Sequence, residues 1–77
     1  MKIRVKIIGA LTKPNGKEDF VQDIPDGSTI EKLLLDLGYN PKHLSMIMTA
    51  VNGKQKKQSY KLKNDDEIEL SLPVGGG

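Results

Sequence analysis

Ile24-Pro25-Asp26-Gly27-Ser28-Thr29-Ile30-Glu31-Lys32-Leu33-Leu34-Leu35-Asp36-Leu37-Gly38 is the stretch in which the hydrophobic period of this chain changes. Ile30, Leu33, Leu34 and Leu37 recur at i, i+3, i+4 and i+7, which makes one apolar stripe along a helix. Ser28 with Glu31 three residues on resembles a capping box, and Thr29 is an equal candidate, since either hydroxyl can accept from a free amide of the first turn. Gly38 supplies the left-handed stop at the other end. On both sides of this helix the apolar residues alternate instead, so a single helix is set among strands.

Working toward the start, Lys2-Ile3-Arg4-Val5-Lys6-Ile7-Ile8 alternates strictly, which predicts a strand with Ile3, Val5 and Ile7 on a core and Lys2, Arg4 and Lys6 in water. Pro14-Asn15-Gly16 is turn chemistry and leads to a second strand over residues 18–24, forming a hairpin with the first. Beyond the helix, Tyr39 to Ser45 with Pro41 reads as loop. Met46 to Val51 reads as a third strand closed by Asn52-Gly53, and Lys54 to Leu62 as a polar stretch with a short edge strand. After the turn Asn64-Asp65-Asp66, Glu67 to Leu72 alternates with Ile68, Leu70 and Leu72 inward, and runs into Pro73-Val74-Gly75-Gly76-Gly77. The order predicts an α+β fold, a mixed sheet of four to five strands with one helix on one face. Setting the first and last strands side by side at its centre brings Lys2, Arg4 and Lys6 near Glu67 and Glu69.

With 77 residues the chain is one domain with a simple core. Its hydrophobic fraction of 36% and charged fraction of 29% place it with globular rather than disordered chains. Cysteine is absent, which removes disulfides, thiolate metal sites and thiol nucleophiles. Met1 to Ile8 lacks the apolar core of a signal peptide, and no stretch approaches the ~18 apolar residues of a membrane span, so the expectation is a cytoplasmic protein with no membrane partner. A net charge of +2 with only Phe20, Tyr39 and Tyr60 as aromatics is a weak nucleic-acid signature, and no nucleic-acid partner is expected. His43, beside Pro41 and Lys42, reads as a solvated surface residue. Asp65, Asp66 and Glu67 match no calcium loop and are accounted for by a turn entering a strand, so neither metal nor cofactor is expected. Lys54, Lys56, Lys57, Lys61 and Lys63 form a basic run, read as a solvated face in preference to a surface that steers an acidic partner.

The last residues carry the chemistry. Three glycines end a fold poorly, because each loses more conformational freedom on ordering than any other residue. They serve a reaction well, because a carboxylate without flanking β-carbons threads a narrow slot and stays open to a nucleotide and a nucleophile. From Pro73 to Gly77 the extended chain spans roughly 15 Å. Leu72 and Val74 are candidate side-chain anchors before Gly75. In the third strand Ile47, Thr49 and Val51 share one face and Met46, Met48 and Ala50 the other. With Val51 inside, the latter three form an adaptable partner surface; a short or loop-capped strand instead buries both faces. The bland alternative for the glycines is a frayed end or the remnant of a linker.

These features together resemble the ubiquitin-like β-grasp family, and within it the sulfur carriers: the small subunit of molybdopterin synthase and the thiazole-pathway carrier. The resemblance covers essentially the whole chain. Its most specific parts are Val51-Asn52-Gly53, Leu62-Lys63-Asn64-Asp65-Asp66-Glu67-Ile68 and Pro73-Val74-Gly75-Gly76-Gly77. The family usually ends Pro-Val-Ala-Gly-Gly, so Gly76 and Gly77 fall on its reactive diglycine and Gly75 replaces the alanine. Where the family commonly has Gly-Asp in the last turn this chain has Asp65-Asp66, and aspartate tolerates the left-handed region.

The resemblance implies a β-grasp domain over residues 1–74 with a flexible tail over 75–77. It implies that a ubiquitin-activating-type adenylyltransferase uses ATP to adenylate the Gly77 carboxylate, and that a sulfide equivalent then leaves a thiocarboxylate. That sulfur would pass to a sulfur-accepting synthase subunit or target protein in molybdopterin, thiazole or tRNA thiolation. The chain is then a carrier and co-substrate, an enzyme only if counted as the small subunit of a synthase. The alternatives are a protein modifier joined through Gly77 to lysines of targets, and a β-grasp interaction module with an inert tail.

Overall fold

The computed structural model describes residues 1–73. Strict alternation gives β1 (Lys2–Ile8), which buries Ile3, Val5 and Ile7 and leaves Lys2, Arg4, Lys6 and Ile8 on the opposite face. β2 (Asp19–Asp23) returns antiparallel to it, with Phe20 opposite Val5. The turn chemistry works locally: the Asn15 side chain accepts from the Lys17 amide at 3.0 Å, and Gly16 takes a φ of 73°.

The helix α1 (Ile30–Asp36) is capped by Thr29, whose hydroxyl accepts from the Lys32 amide at 3.2 Å. Ser28 is buried instead and donates to the Pro25 carbonyl at 2.7 Å. Only the tertiary position of the two hydroxyls separates these candidates. The amides of Ile30 and Glu31 are taken up by the carbonyls of Tyr60 and Gln58. At the other end Gly38, with φ 97°, bonds to Leu35 while Tyr39 bonds to Leu34, which together satisfy two carbonyls of the last turn.

The chain then departs from the predicted loop. Pro41–Met46 forms a 3-10 helix in which Asn40 is the cap, its side chain accepting from the Lys42 amide at 2.9 Å, and proline fills the first position, where no amide is needed. This helix buries Leu44 and uses up Met46, so the third strand starts later than expected, as β3 (Met48–Val51). β4 (Lys54–Gln55) is the short edge strand, and β5 (Glu67–Ser71) is the last. Leu72, predicted as its final inward residue, lies just past β5 and is half-buried against the core.

The sheet order is β2-β1-β5-β3-β4, with β1 and β5 parallel at the centre and the other neighbours antiparallel. Ile3, Val5, Ile68 and Leu70 from the central pair meet Ile30, Leu33 and Leu34 from α1, all fully buried. On the other face the predicted ion pairs form in part. Lys6 reaches Glu67 at 3.0 Å, but Arg4, although in register with Glu67, turns to Asp19 on β2 at 3.0 and 3.1 Å. Those hydrogen bonds hold the exposed Asp19 carboxyl below its ordinary value and raise the Arg4 guanidinium. Lys2 has no ion pair among the described residues.

Two motifs that lie apart in sequence prove to be one hydrogen-bonded unit. Buried Asp66 accepts from the Lys63 amide at 2.8 Å and from the Asn52 side chain at 3.0 Å, and Asn52 in turn accepts from the Glu67 amide at 3.0 Å. Asn52 and Asp65 hold φ values of 51° and 70°, which asparagine and aspartate tolerate better than most side chains. The unit fixes where β5 begins, and so where its far end delivers the tail.

Candidate functional site

β5 carries the chain to the end of the sheet at which β1 finishes and β3 begins. Ser71 is in register with Ile8 on one side and with Met48 on the other, so these three form a row across the central strands, on the face turned away from α1. Ile8 is 47% exposed and Met48 41%, an apolar pair on a face that also carries Arg4, Lys6, Glu67 and Glu69 and, further along, exposed Val21 and half-buried Ala50. Exposed Pro73 continues from this row, and an open depression runs past Ile8, Gly9, Ala10, Met48, Leu72 and Pro73.

Around the other side of the same root lies a second apolar depression, bordered by Leu11, Tyr39, His43, Met46, Ile47 and Leu72. Leu72 therefore sits between two hollows and anchors the point from which the tail departs. His43 is exposed at the rim of the second. The Tyr39 hydroxyl donates to the Thr12 carbonyl at 2.6 Å and ties the end of α1 to the β1–β2 connection.

Partial burial disfavours the phenolate and raises the Tyr39 hydroxyl above its ordinary value. A group raised on folding contributes stability that is fully present below its unfolded value, about 10, and is lost as pH climbs through the folded value. In a Tyr60→Phe variant, the phenolate absorbance of Tyr39 should rise with a midpoint above about 10, and unfolding midpoints should fall across that same interval. Adding Tyr39→Phe should remove this alkaline step.

Of the residues expected to bind a partner, Met46 and Met48 are exposed and Ala50 is half-buried, while Ile47, Thr49 and Val51 are buried. The three outward residues are not one strand face, however. Met46 ends the 3-10 helix and borders the Leu72 hollow, whereas Met48 and Ala50 belong to the outer face of β3. Val74, Gly75, Gly76 and Gly77, on which the chemistry was expected, lie outside the described residues. Ile8 was missed. Its signal was present, because alternation places it with Lys2, Arg4 and Lys6, as an apolar residue on a charged face.

Among the described residues no group of three His, Asp or Glu side chains is placed to hold a metal ion. Nor is any helix among them long and apolar enough to cross a membrane. What the geometry offers is two apolar depressions that meet at Leu72, one past Ile8, Met48 and Pro73 and the other past Tyr39, Met46 and Ile47.

The family model described as the ThiS family matches residues 5–77. No curated protein matches the sequence. Among solved structures, small archaeal modifier protein 1 of Haloferax volcanii superposes with a TM-score of 0.75 at 21% identity, over 95% of this chain and 98% of that one. A putative molybdopterin converting factor subunit 1 from Pyrococcus furiosus gives 0.76 at 19% identity, over 95% and 98%. The complex of subunits 1 and 2 of the molybdopterin-converting factor from Helicobacter pylori gives 0.67 at 23% identity, over the whole of both chains. At such identities the likeness shows the fold, the ubiquitin-like β-grasp.

Proposed function

Because the chain belongs to the ThiS family of ubiquitin-like β-grasp proteins, we propose that it is a sulfur carrier that works through the carboxylate of Gly77. The observation that carries this reading is that the family match runs through the terminal glycines to Gly77. Residues 1–74 act as the carrier domain and residues 75–77 as the reactive tail. A carboxylate oxygen of Gly77 attacks the α-phosphorus of ATP on a ubiquitin-activating-type enzyme, and pyrophosphate leaves. A sulfide equivalent then attacks the acyl carbon, AMP leaves, and Gly77 ends in a thiocarboxylate. The sulfur needs no cysteine, because it rides on the main chain.

The carrier is a co-substrate in the cytoplasm and supplies no acid, base or metal of its own. Its task is to be seated. Ordering three glycines costs roughly 3 to 6 kcal/mol of backbone entropy. Main-chain hydrogen bonds to Gly75, Gly76 and the rest of the extended tail, with Leu72 and Val74 as anchors, offset part of that. Ile8, Met46, Met48 and Ala50 supply the remainder. The acceptor is a synthase subunit or target protein in molybdopterin, thiazole or tRNA thiolation. The Helicobacter complex of subunits 1 and 2 supports a partner subunit of this kind.

A second reading is favoured by the likeness to small archaeal modifier protein 1, namely conjugation of Gly77 to lysines of target proteins. Intact mass of the protein purified gently from its own cells separates the two. One oxygen replaced by sulfur, mapped to Gly77, is the expected result. Isopeptide-linked conjugates without that species would favour the modifier. A chain that stays unmodified with ATP, an activating enzyme and a sulfur source would leave only an interaction module.

A further inference from the structure

The chain has no Asp or Glu between Leu37 and Asn64, yet Lys42, Lys54, Lys56, Lys57, Lys61 and Lys63 all fall in that interval. Glu18, Asp19, Asp23 and Asp26 gather instead on and around β2. β2 and β4 are the two edges of the sheet, so the separation along the sequence becomes a separation across the molecule. One edge is acidic and the other basic.

Three observations lift the basic edge above an ordinary solvated face. The first is that none of Lys54, Lys56, Lys57, Lys61 and Lys63 has a carboxylate partner among the described residues, so the positive charge gathered here is not offset locally. The second is its single sign, since a face that serves solubility alone is well served by interspersed charges. The third is rigidity. The Lys56 amide donates to Thr49 at 3.0 Å and the Thr49 hydroxyl returns to the Lys56 carbonyl at 2.7 Å. The Gln58 side chain donates to the carbonyls of Leu44 and Ile47, the Ile30 amide donates to Tyr60, and the Leu62 amide to Ser28. The ammonium groups thus project from a backbone pinned to β3, the 3-10 helix and α1, and little backbone ordering is left to a partner.

We propose that the β4 edge, centred on Lys54 and Lys57, is the electrostatic docking surface for an acidic patch on the adenylating enzyme. This deepens the functional reading above and rests on it. The edge runs from Lys56, level with Thr49 in the strand that opens beside the tail root, to Lys54, opposite Val51 at the other end of that strand. A partner that holds it also fixes the direction in which the tail points. The acidic β2 edge faces away from such a patch and sharpens the orientation. Single-stranded nucleic acid fits less well, because the one aromatic ring on this edge, Tyr60, already lies 5.2 Å from the Lys56 ammonium.

The test is ATP–pyrophosphate exchange by the activating enzyme from the same cells, with the full chain as the varied substrate. Charges of this kind act on encounter rate and fade as the screening length falls from ~30 Å at 0.01 M salt to ~10 Å at 0.1 M. Lys54→Glu/Lys57→Glu should raise KM about tenfold at low salt, leave kcat within about twofold, and flatten the rise of KM with salt. Lys54→Gln/Lys57→Gln should fall between this variant and the wild type, which guards against a folding defect in the glutamate pair. Lys17→Glu/Lys32→Glu, equal in charge change but off this edge, should leave KM near the wild-type value. Normal exchange with KM unchanged in the β4-edge variant, or raised equally in the control, would overturn the docking surface alone. So would an unchanged KM accompanied by lost binding to a mixed-sequence RNA oligonucleotide or by lost self-association. No exchange by the wild type would overturn the carrier reading, and this inference with it.

Discussion

Deleting Gly76 and Gly77 should abolish ATP–pyrophosphate exchange and thiocarboxylate formation while leaving the thermal unfolding midpoint where it was. The truncated chain still ends in a carboxylate, on Gly75, and the domain still presents Ile8, Met46, Met48 and Lys54. The loss therefore comes from reach. Two residues of extended chain are roughly 7 Å, and a displacement of even ~1 Å from the productive geometry can cost about 100-fold in rate. Stability is untouched because the described core is complete by Leu72. Mass spectrometry and pyrophosphate exchange on the purified truncation, beside its melting curve, check both halves. Exchange retained within tenfold of wild type would sink the tail mechanism. A large fall in the melting midpoint would show that the last residues serve the fold.

Leu70→Ala should cost about 2 to 5 kcal/mol, a large share of the total for a domain of this size. Leu70 is fully buried on β5, between Ile7 of β1 and Thr49 of β3, so its removal leaves a cavity at the centre of the sheet where neighbours collapse poorly. In a small domain that loss lowers the unfolding midpoint by tens of degrees. Met48→Ala is the contrast. It is one strand away and opposite Ser71, but exposed, so urea denaturation should register ~0.5 kcal/mol or less, while docking of the activating enzyme weakens. Equal destabilisation by the two changes would contradict the assignment of the two faces.

How much of this was legible depends on the range of the interaction that decides each feature. The hairpin, the helix with its Gly38 stop and the inward faces of β1 and β5 follow from period and turn chemistry, whereas for the third strand the period separated two sets of residues without deciding whether either set is exposed. Period and turn chemistry are local, and the alternation of Ile3, Val5 and Ile7 or of Ile68 and Leu70 is strict. The Pro41–Met46 helix was not legible, because so short a 3-10 helix has no apolar period to detect; only Asn40 before Pro41 hinted at it. Ile8 was legible and overlooked.

By itself, then, the sequence determined the strands, the helix α1 and the buried faces of β1 and β5, and it supplied the expectation for the tail, because side-chain period, turn residues and a run of glycines act over a few residues at a time. Only the tertiary structure decided which hydroxyl caps α1, which carboxylate Arg4 takes, that Asn52 and Asp66 form one unit, and that Met46 and Met48 border different hollows. It also turned a basic interval of sequence into one edge of the sheet, opposite an acidic one. Each of these depends on contacts between residues far apart in the chain, and the order in which strands pair is what sets them.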